Sequence, residues 1–168
     1  MIENDILKRI RLFKGLNDAQ LEIVAKFLAE EEIKKGETVI KENTSGDKIY
    51  ILCKGTVTIT RKLTLDIGDI QNEEKKLATL SDKLKHLPSF GENALAEAGI
   101  RTANVIAKTN CVMYSLTRKK FSEIEKCNLF IAYVIMKNIA NTIAERLKMT
   151  DENVVKLATA LSIAVAKN

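Results

Sequence analysis

The spacing of apolar residues changes along the chain and divides it into three parts. Apolar residues recur every three or four positions over 2–13 and again over 18–29, which predicts two amphipathic helices. Gly15 predicts a turn between them, and Asn17 or Asp18 is a suitable N-cap for the second helix. The first part is therefore expected to be helical.

The second part alternates apolar and polar residues and is rich in Val, Ile and Thr, which is typical of half-buried strands. Glycines punctuate it at positions 36, 46 and 55. We expect antiparallel strands near 38–41, 48–53, 56–64, 77–80, 102–107 and 112–116, with a polar hairpin loop over 66–75. Strands of this length and spacing indicate a sandwich or barrel.

The third part begins at Arg118, and the chain contains neither glycine nor proline after Gly99. A short helix is expected near 121–125 and a long helix from Leu129 onward. A 4-3-4-3 spacing, typical of a coiled-coil seam, relates Met136, Ala140, Ile143, Leu147, Thr150, Val154, Leu157, Leu161 and Ala164. A helix packed on its own barrel has nearly the same period, so both interpretations stay open. Thr150 is a candidate start of a second helix.

Composition restricts the class of protein. The 168 residues are 46% hydrophobic and 29% charged, as in a folded globular domain. No apolar run reaches the ~18 residues that a membrane-spanning helix needs, and charges interrupt the first 15 residues too often for a secretory signal. We therefore expect a cytoplasmic protein without a membrane segment.

Cysteine and charge usage exclude some chemistry. Cys53, Cys111 and Cys127 are far apart and form no metal-binding pattern with the single histidine, so reduced, mostly buried thiols and no metal are expected. The Glu30-Glu31-Glu32 run is interpreted as solvated surface rather than as catalytic carboxylates. A net charge of +5 is only a weak sign of a nucleic-acid partner.

The segment PSFGENALAEAGIRTANV carries the candidate chemistry. Gly91 permits a tight turn, Glu92 supplies a carboxylate, and the small residues of 93–98 can form one helical turn. Arg101 could hold phosphate oxygens through its guanidinium, while Glu92 could accept a hydrogen bond from a sugar hydroxyl. These residues suit a sugar phosphate, although a solvated loop with a surface ion pair fits the same pattern.

This segment resembles the phosphate-binding cassette of the cyclic nucleotide-binding domain family, found in catabolite activators, cAMP- and cGMP-dependent kinases and cyclic nucleotide-gated channels. The matching motifs are Phe90-Gly91-Glu92-Asn93-Ala94-Leu95 and Arg101-Thr102-Ala103-Asn104-Val105. The upstream stretches LFKGLNDAQLEIVAKFL and KKGETVIKENTSGDKIYILCKGTVTI are similar to the family's opening helices and barrel. Two features depart from the family: Asn93 replaces an apolar residue, and the approach LSDKLKHLPSFGE is longer and lacks a glycine.

The resemblance implies a mainly β fold with flanking helices: a double-stranded β-helix (jelly-roll) barrel with N-terminal helices and a long C-terminal helix. It implies that Glu92 binds the ribose 2′-hydroxyl and Arg101 the cyclic phosphate, with backbone amides of Gly91, Ala94 and Leu95 completing the cradle. Thr102 leaves both cAMP and cGMP open as ligands. The ligand-binding set is therefore expected to be Gly91, Glu92, Asn93, Ala94, Leu95, Arg101, Thr102 and Ala103, with Ala140, Ile143 and Ala144 covering the base.

The leading hypothesis is a non-enzymatic cyclic nucleotide sensor without catalytic residues, metal or cofactor. Residues 1–128 would form the binding barrel, and residues 129–168 a lid and dimerisation helix with no separate output domain. We expect a small-molecule cyclic nucleotide, a second copy of the chain and a downstream protein as partners, with neither DNA nor membrane. The alternative is a ligand-free structural or protein-interaction module that keeps the barrel and works by dimerisation.

Overall fold

The N-terminal helices are shorter than their apolar pattern predicts. The protein is described by a computed structural model over residues 2–62, 74–96 and 99–166. In it α1 covers Asn4–Lys8, a 3₁₀ helix covers Arg11–Phe13 and α2 covers Asp18–Ala25. The single helix expected over 2–13 is wrong, because Ile10 is extended and forms a parallel bridge with Leu87.

The start of α2 agrees with the sequence. The Asn17 side chain accepts a hydrogen bond from the Gln20 amide at 3.0 Å, and the Gln20 side chain accepts one from the Asn17 amide at 3.0 Å. This capping box satisfies two amide groups at the helix end and confirms Asn17 as the N-cap. The helix ends four residues earlier than expected, because Ala29 begins a strand.

The described residues contain ten strands, joined in three antiparallel groups. The strands are β1 (Ala29–Ile33), β2 (Thr38–Ile40), β3 (Ser45–Gly46), β4 (Lys48–Lys54), β5 (Thr56–Lys62), β6 (Glu74–Ser81), β7 (Ser89–Phe90), β8 (Gly99–Ile100), β9 (Asn104–Ala107) and β10 (Cys111–Thr117). Two four-stranded sheets have the orders β1-β10-β4-β7 and β2-β9-β5-β6, and β3 pairs with β8. The six expected strands are confirmed, although β9 begins at Asn104 and not at 102. Residues 63–73, which hold most of the expected hairpin loop, lie outside the described residues, and Glu74 and Lys75, expected in that loop, belong to β6 because they pair with β5.

Strand β1 was missed because its polar residues resemble solvated surface. Its Glu31 faces inward, where its carboxylate accepts hydrogen bonds from Lys48 Nζ at 2.8 Å and Ser115 Oγ at 2.5 Å. Burial favours the protonated acid, but these two donors outweigh it and hold the pKa of Glu31 below its ordinary value. The acidic run is therefore part of a sheet, and one of its carboxylates ties β1 to β4 and β10.

The core has two layers, with β4 between them. Ile49 and Ile51 pack against the helices, whereas Tyr50 and Leu52 pack between the two large sheets. All four side chains are buried, at 9% exposure or less. Successive side chains of a strand point to opposite faces, so a strand covered on both faces has a continuous apolar sequence, here IYIL.

Two helices end the chain. Helix α4 covers Arg118–Cys127 and is capped by Thr117, whose hydroxyl accepts from the Lys120 amide at 3.2 Å. Helix α5 runs without interruption over Leu129–Ala166, so the expected second helix start at Thr150 is wrong. The Thr150 hydroxyl instead donates to the Arg146 carbonyl at 2.9 Å, a bond that a helix interior accommodates.

The two halves of α5 differ in burial. The first half packs on the protein's own core through Ile131, Ala132, Val134, Ile135 and Ile139. The second half exposes large apolar residues, namely Ile143, Leu147, Met149, Val154, Val155, Leu157, Leu161, Ile163 and Val165. The residues that pack on the core differ from the 4-3 series, of which Met136 is half-buried and Ala140 exposed, so core packing does not explain that series.

The mainly β fold with flanking helices and a long C-terminal helix is confirmed. The described strands do not close into one hydrogen-bonded barrel, so the jelly-roll barrel stays a prediction. All three cysteines are free, but only Cys111 is buried: Cys127 is exposed, and Cys53 is half-buried, with burial raising its pKa to about 11. Among the described helices none is long and apolar enough to cross a bilayer.

Candidate functional site

A cavity of about 590 Å³ lies between the predicted cassette, strands β5 and β6, and helix α5. Short helix α3 (Asn93–Ala96) follows the Gly91-Glu92 turn on one side of it. The cavity is lined by Ile40, Ile59, Leu77, Ala78, Leu80, Phe90, Gly91, Glu92, Asn93, Ala94, Gly99, Ile100, Arg101, Thr102, Ala103, Val105, Arg146, Met149, Thr150 and Asn153. An apolar wall with a few charged groups is typical of a small-molecule site.

Arg101 is held at the cavity by its backbone and its side chain. The Arg101 amide donates to the Thr44 carbonyl at 2.8 Å, and the Arg101 carbonyl accepts from the Asn43 amide at 2.8 Å. The guanidinium donates from Nη2 to the Lys48 carbonyl at 2.7 Å and from Nη1 to the Gly91 carbonyl at 3.2 Å. Burial lowers the pKa of this guanidinium, and the same low-dielectric surroundings strengthen the attraction between its positive charge and an anion in the cavity.

Two glycines make room for the Arg101 side chain. Gly91 has a φ of +79°, and a Cβ added there would lie 2.6 Å from Nη1 of Arg101. A Cβ added at Gly46 would collide with Nε of the Arg101 side chain. Both positions need glycine because the guanidinium passes directly over the backbone, and Gly91 needs it for conformation as well.

Gly46→Ala tests this arrangement. The methyl group would displace the flexible end of Arg101 rather than any backbone atom, so we expect cyclic nucleotide affinity to fall about tenfold while the melting temperature falls by less than about 3 °C. Calorimetric titration and thermal unfolding measure the two effects. Ser45→Ala, at the exposed neighbouring position, is the control. An unchanged affinity for Gly46→Ala would contradict the role given to this glycine.

Glu92 is the second charged group of the predicted cassette and is only 6% exposed. Its Oε1 accepts a hydrogen bond from Arg146 Nη1 on α5, and its Oε2 is buried without a hydrogen-bond partner in the described part of the chain. Arg146 also donates from Nη2 to the Ser89 carbonyl at 3.4 Å. The carboxylate expected to receive a sugar hydroxyl is therefore paired with a cation in this structure.

The other predicted site residues are divided between the cavity and the core. Gly91, Asn93, Ala94, Thr102 and Ala103 line the cavity. Leu95 does not line it and packs in the core at 5% exposure. The structure therefore brings seven of the eight predicted residues together around one cavity, counting Glu92 and Arg101.

Two of the three amides predicted to hold a phosphate are engaged within the turn. The Ala94 amide donates to the Gly91 carbonyl and the Leu95 amide to the Glu92 carbonyl, both at 3.1 Å. Asn93 is exposed and faces the cavity, so the polar replacement that departs from the family pattern adds no polar side chain to the core.

The residues that α5 contributes to the cavity differ from those expected. They are Arg146, Met149, Thr150 and Asn153, not Ala140, Ile143 and Ala144. Arg146 lies 54 positions from Glu92 along the chain, and no local pattern connects the two. Because Arg146 directly precedes Leu147 of the 4-3 series, the sequence predicts which side of the helix it lies on. Only the tertiary structure shows that its partner is Glu92.

The charges of this cavity fit a small organic anion with a hydroxyl group. Two guanidinium groups and one carboxylate line it, which gives an excess of positive charge among apolar walls. Among the residues described, no group of three or more His, Cys, Asp or Glu is arranged to hold a metal ion. The arrangement supports binding by charge and hydrogen bonds.

Comparison with known proteins identifies the class. The family model of the cyclic nucleotide-binding domain matches residues 30–126, so the chain belongs to that family. The chain is 35% identical over 108 residues to cGMP-dependent protein kinase, isozyme 1, of Drosophila melanogaster, covering 63% of this chain and 13% of the kinase. The family resemblance drawn from the cassette is thereby confirmed.

Solved structures agree on the fold. The catabolite activator protein of Thermus thermophilus is similar with a TM-score of 0.75 and 21% identity, over 88% of this chain and 63% of that one. The cAMP-bound PfPKA-R structure is similar with a TM-score of 0.59 and 29% identity, over 71% of this chain and 39% of that one. The chain spans only a small part of the kinase that it matches, so the kinase resemblance concerns one domain.

Proposed function

We propose that the protein is a regulatory sensor that binds cAMP or cGMP in the cavity and transmits occupancy through α5. The observation that carries the proposal is that a cation, Arg101, and a carboxylate, Glu92, line one cavity beside the Gly91 turn. The two residues are nine positions apart in the sequence. A cyclic nucleotide presents an anionic phosphate and a ribose hydroxyl close together. One cation and one carboxylate match these two groups.

The proposed roles follow from the chemistry of each side chain. Arg101 binds the cyclic phosphate through its guanidinium, and Glu92 accepts a hydrogen bond from the ribose 2′-hydroxyl. Thr102 offers a hydroxyl towards the phosphate or the purine. The similar proteins include a cGMP-dependent protein kinase and the cAMP-bound PfPKA-R, so both nucleotides should be tested as ligands.

Residues 1–128 are proposed to act as the binding unit and α5 as the responding element. The first half of α5 is fixed, because Asn138 Nδ2 donates to the Leu12 and Lys14 carbonyls, each at 2.9 Å. The second half contributes cavity residues but packs little on the body. A ligand changes the position of this half only if it binds one position better than the other.

Isothermal titration of the purified protein with cAMP and cGMP tests the proposal, with 5′-AMP as a control that has the same base and ribose but an acyclic phosphate. We expect saturable binding of at least one cyclic nucleotide, and a melting temperature that rises with its concentration, because a ligand that binds only the folded state stabilises it. Heat signals absent for both cyclic nucleotides at millimolar concentration would reject the sensor function.

We also propose that the exposed half of α5 pairs with the same helix of a second copy. Ile143, Leu147, Val154, Leu157 and Leu161 follow the 4-3 spacing and are each at least 41% exposed. An exposed stripe of this kind, apolar except at Thr150, is typical of a helix covered by a partner helix. A second copy supplies a stripe of identical length and spacing.

Light scattering tests the pairing. We expect twice the monomer mass of 18.8 kDa for the wild type and the monomer mass for the double variant Leu157→Glu, Leu161→Glu. Lys156→Glu places a glutamate on the same helix outside the stripe, where it reverses an existing charge, and serves as the control. A monomeric wild type at high protein concentration would reject the dimer.

A ligand-free interaction module is the second candidate, favoured by the pairing of Glu92 with Arg146 inside the cavity. In that case the barrel would support dimerisation, and its melting temperature would be indifferent to both nucleotides. Dimer formation without nucleotide binding is the combination of results that supports this candidate. A cytoplasmic location is common to both proposals and can be tested by cell fractionation.

A further inference from the structure

The ion pair between Arg146 and Glu92 joins the far part of α5 to the cassette. Arg146 Nη1 donates to Glu92 Oε1, and the two side chains differ in exposure, at 50% for Arg146 and 8% for Glu92. A buried carboxylate is costly unless a cation or hydrogen-bond donors compensate it. Arg146 therefore stabilises Glu92 in the protein without ligand.

Both oxygens of Glu92 are restricted in this arrangement. Oε1 accepts the hydrogen bond from Arg146, and Oε2 is sealed from solvent without a hydrogen-bond partner in the described part of the chain. A ribose hydroxyl that enters the cavity must reach one of these two atoms to be recognised by Glu92. A hydroxyl that takes the place of Arg146 at Oε1 would displace it, so the ligand and Arg146 would compete for the same carboxylate.

In the described part of the chain, Arg146 is the last residue of α5 whose side chain forms a hydrogen bond to the rest of the protein. The preceding residue, Glu145, pairs with Arg11 of the 3₁₀ helix at the surface. Beyond Arg146, the hydrogen bonds recorded for the described α5 side chains stay within the helix, from Thr150, Thr159 and Ser162. Loss of the Arg146 contact would therefore remove the hydrogen bonds that hold the second half of α5 to the cassette and leave only the cavity-lining residues Met149, Thr150 and Asn153 next to it.

We propose that Arg146 is a built-in competitor of the ligand, a latch that occupies Glu92 in the empty site and is displaced when a cyclic nucleotide binds. This inference rests on the proposed function, since it needs a ligand that uses Glu92. Displacement couples occupancy to α5 because the competitor is part of that helix. The apparent affinity is lowered by the fraction of molecules in which the latch is closed.

The first experiment measures the latch without ligand. Thermal unfolding of the wild type, Arg146→Ala, Glu92→Gln and the double variant forms a double-mutant cycle. We expect Arg146→Ala to lower the melting temperature by about 3 °C, and by clearly less when Glu92→Gln is already present. Additive shifts would overturn the proposal, because they would mean that the two side chains do not interact.

The second experiment measures competition by titrating cAMP and cGMP into the same proteins. Arg146→Ala is expected to bind about tenfold more tightly than the wild type, since the competitor is gone. Lys148→Ala removes a positive charge from an exposed position of the same helix and is expected to stay within about twofold. Equal or weaker binding by Arg146→Ala would overturn the latch. Equal binding would mean that Arg146 has no effect on affinity, and weaker binding would mean that Arg146 itself contacts the ligand.

The two experiments separate failure of the latch from failure of the proposed function. If the wild type and all variants bind neither nucleotide, the sensor function fails and the competition fails with it, while the unfolding cycle still reports the ion pair. If the wild type binds but Arg146→Ala does not bind more tightly, only the latch is rejected. Arg146→Lys, which keeps the charge but loses the planar fork, is expected to fall between wild type and Arg146→Ala.

Discussion

Replacing Arg101 by alanine is expected to reduce cyclic nucleotide affinity about 100-fold, which corresponds to about 3 kcal/mol of binding free energy. The guanidinium is half-buried and sits in an apolar-walled cavity, where a charge-assisted contact with phosphate is stronger than in water. Among the described residues, this side chain donates hydrogen bonds to the Lys48 and Gly91 carbonyls, both of which are backbone groups at the cavity. The fold should therefore tolerate its loss much better than binding does.

Isothermal titration gives the affinity, and thermal unfolding gives the stability of the same sample. Arg118→Ala, at an exposed position at the start of α4, removes an arginine outside the cavity and is expected to bind like the wild type. Arg101→Lys is expected to keep part of the affinity, because an ammonium group retains the charge but not the fork. If a correctly folded Arg101→Ala protein bound the nucleotide with wild-type affinity, Arg101 would not be the residue that binds the phosphate.

Ile135→Ala is expected to lower the free energy of unfolding by about 2 to 4 kcal/mol, because the deleted atoms leave a cavity in a packed core. Ile135 is fully buried and belongs to the cluster that joins α5 to the helical side of β4. The loss should also loosen the first half of α5, on which any signal from the cavity depends. Urea unfolding followed by circular dichroism measures the change.

Val155→Ala is the matched control for this prediction. Val155 lies on the same helix, is 64% exposed and falls outside the 4-3 spacing. Its truncation is expected to change the unfolding free energy by no more than about 0.5 kcal/mol. Alanine is a better helix former than isoleucine or valine, so helix propensity opposes destabilisation at both positions. Equal destabilisation of both variants would contradict the explanation by core packing.

The local motifs of the candidate site could be predicted because they are contiguous in sequence. The turn at Gly91, the carboxylate of Glu92 and the arginine nine positions later belong to one segment, and all three line the cavity. The N-cap at Asn17 was equally accessible, since a capping box joins residues only three positions apart.

The errors arose where distant contacts override a local pattern. The helical spacing over 2–13 is interrupted at Ile10, which is extended and pairs with Leu87, 77 positions away. The acidic residues of β1 have the polarity of a surface loop, but pairing with β10 and the contacts of Glu31 to Lys48 and Ser115 make them a strand. The local preference of a segment for helix, strand or loop is weak, and tertiary contacts of this kind override it.

The sequence by itself determined the family, the mainly β architecture, the long last helix and the two charged residues of the cassette, because each depends on residue types at short, fixed spacings. Only the tertiary structure decided which part of α5 covers the cavity and that Arg146 pairs with Glu92. A helix period defines which residues share a face, but not what that face contacts. That depends on how α5 packs against the core through Ile131, Ile135 and Ile139, and on the Asn138 hydrogen bonds that fix its position.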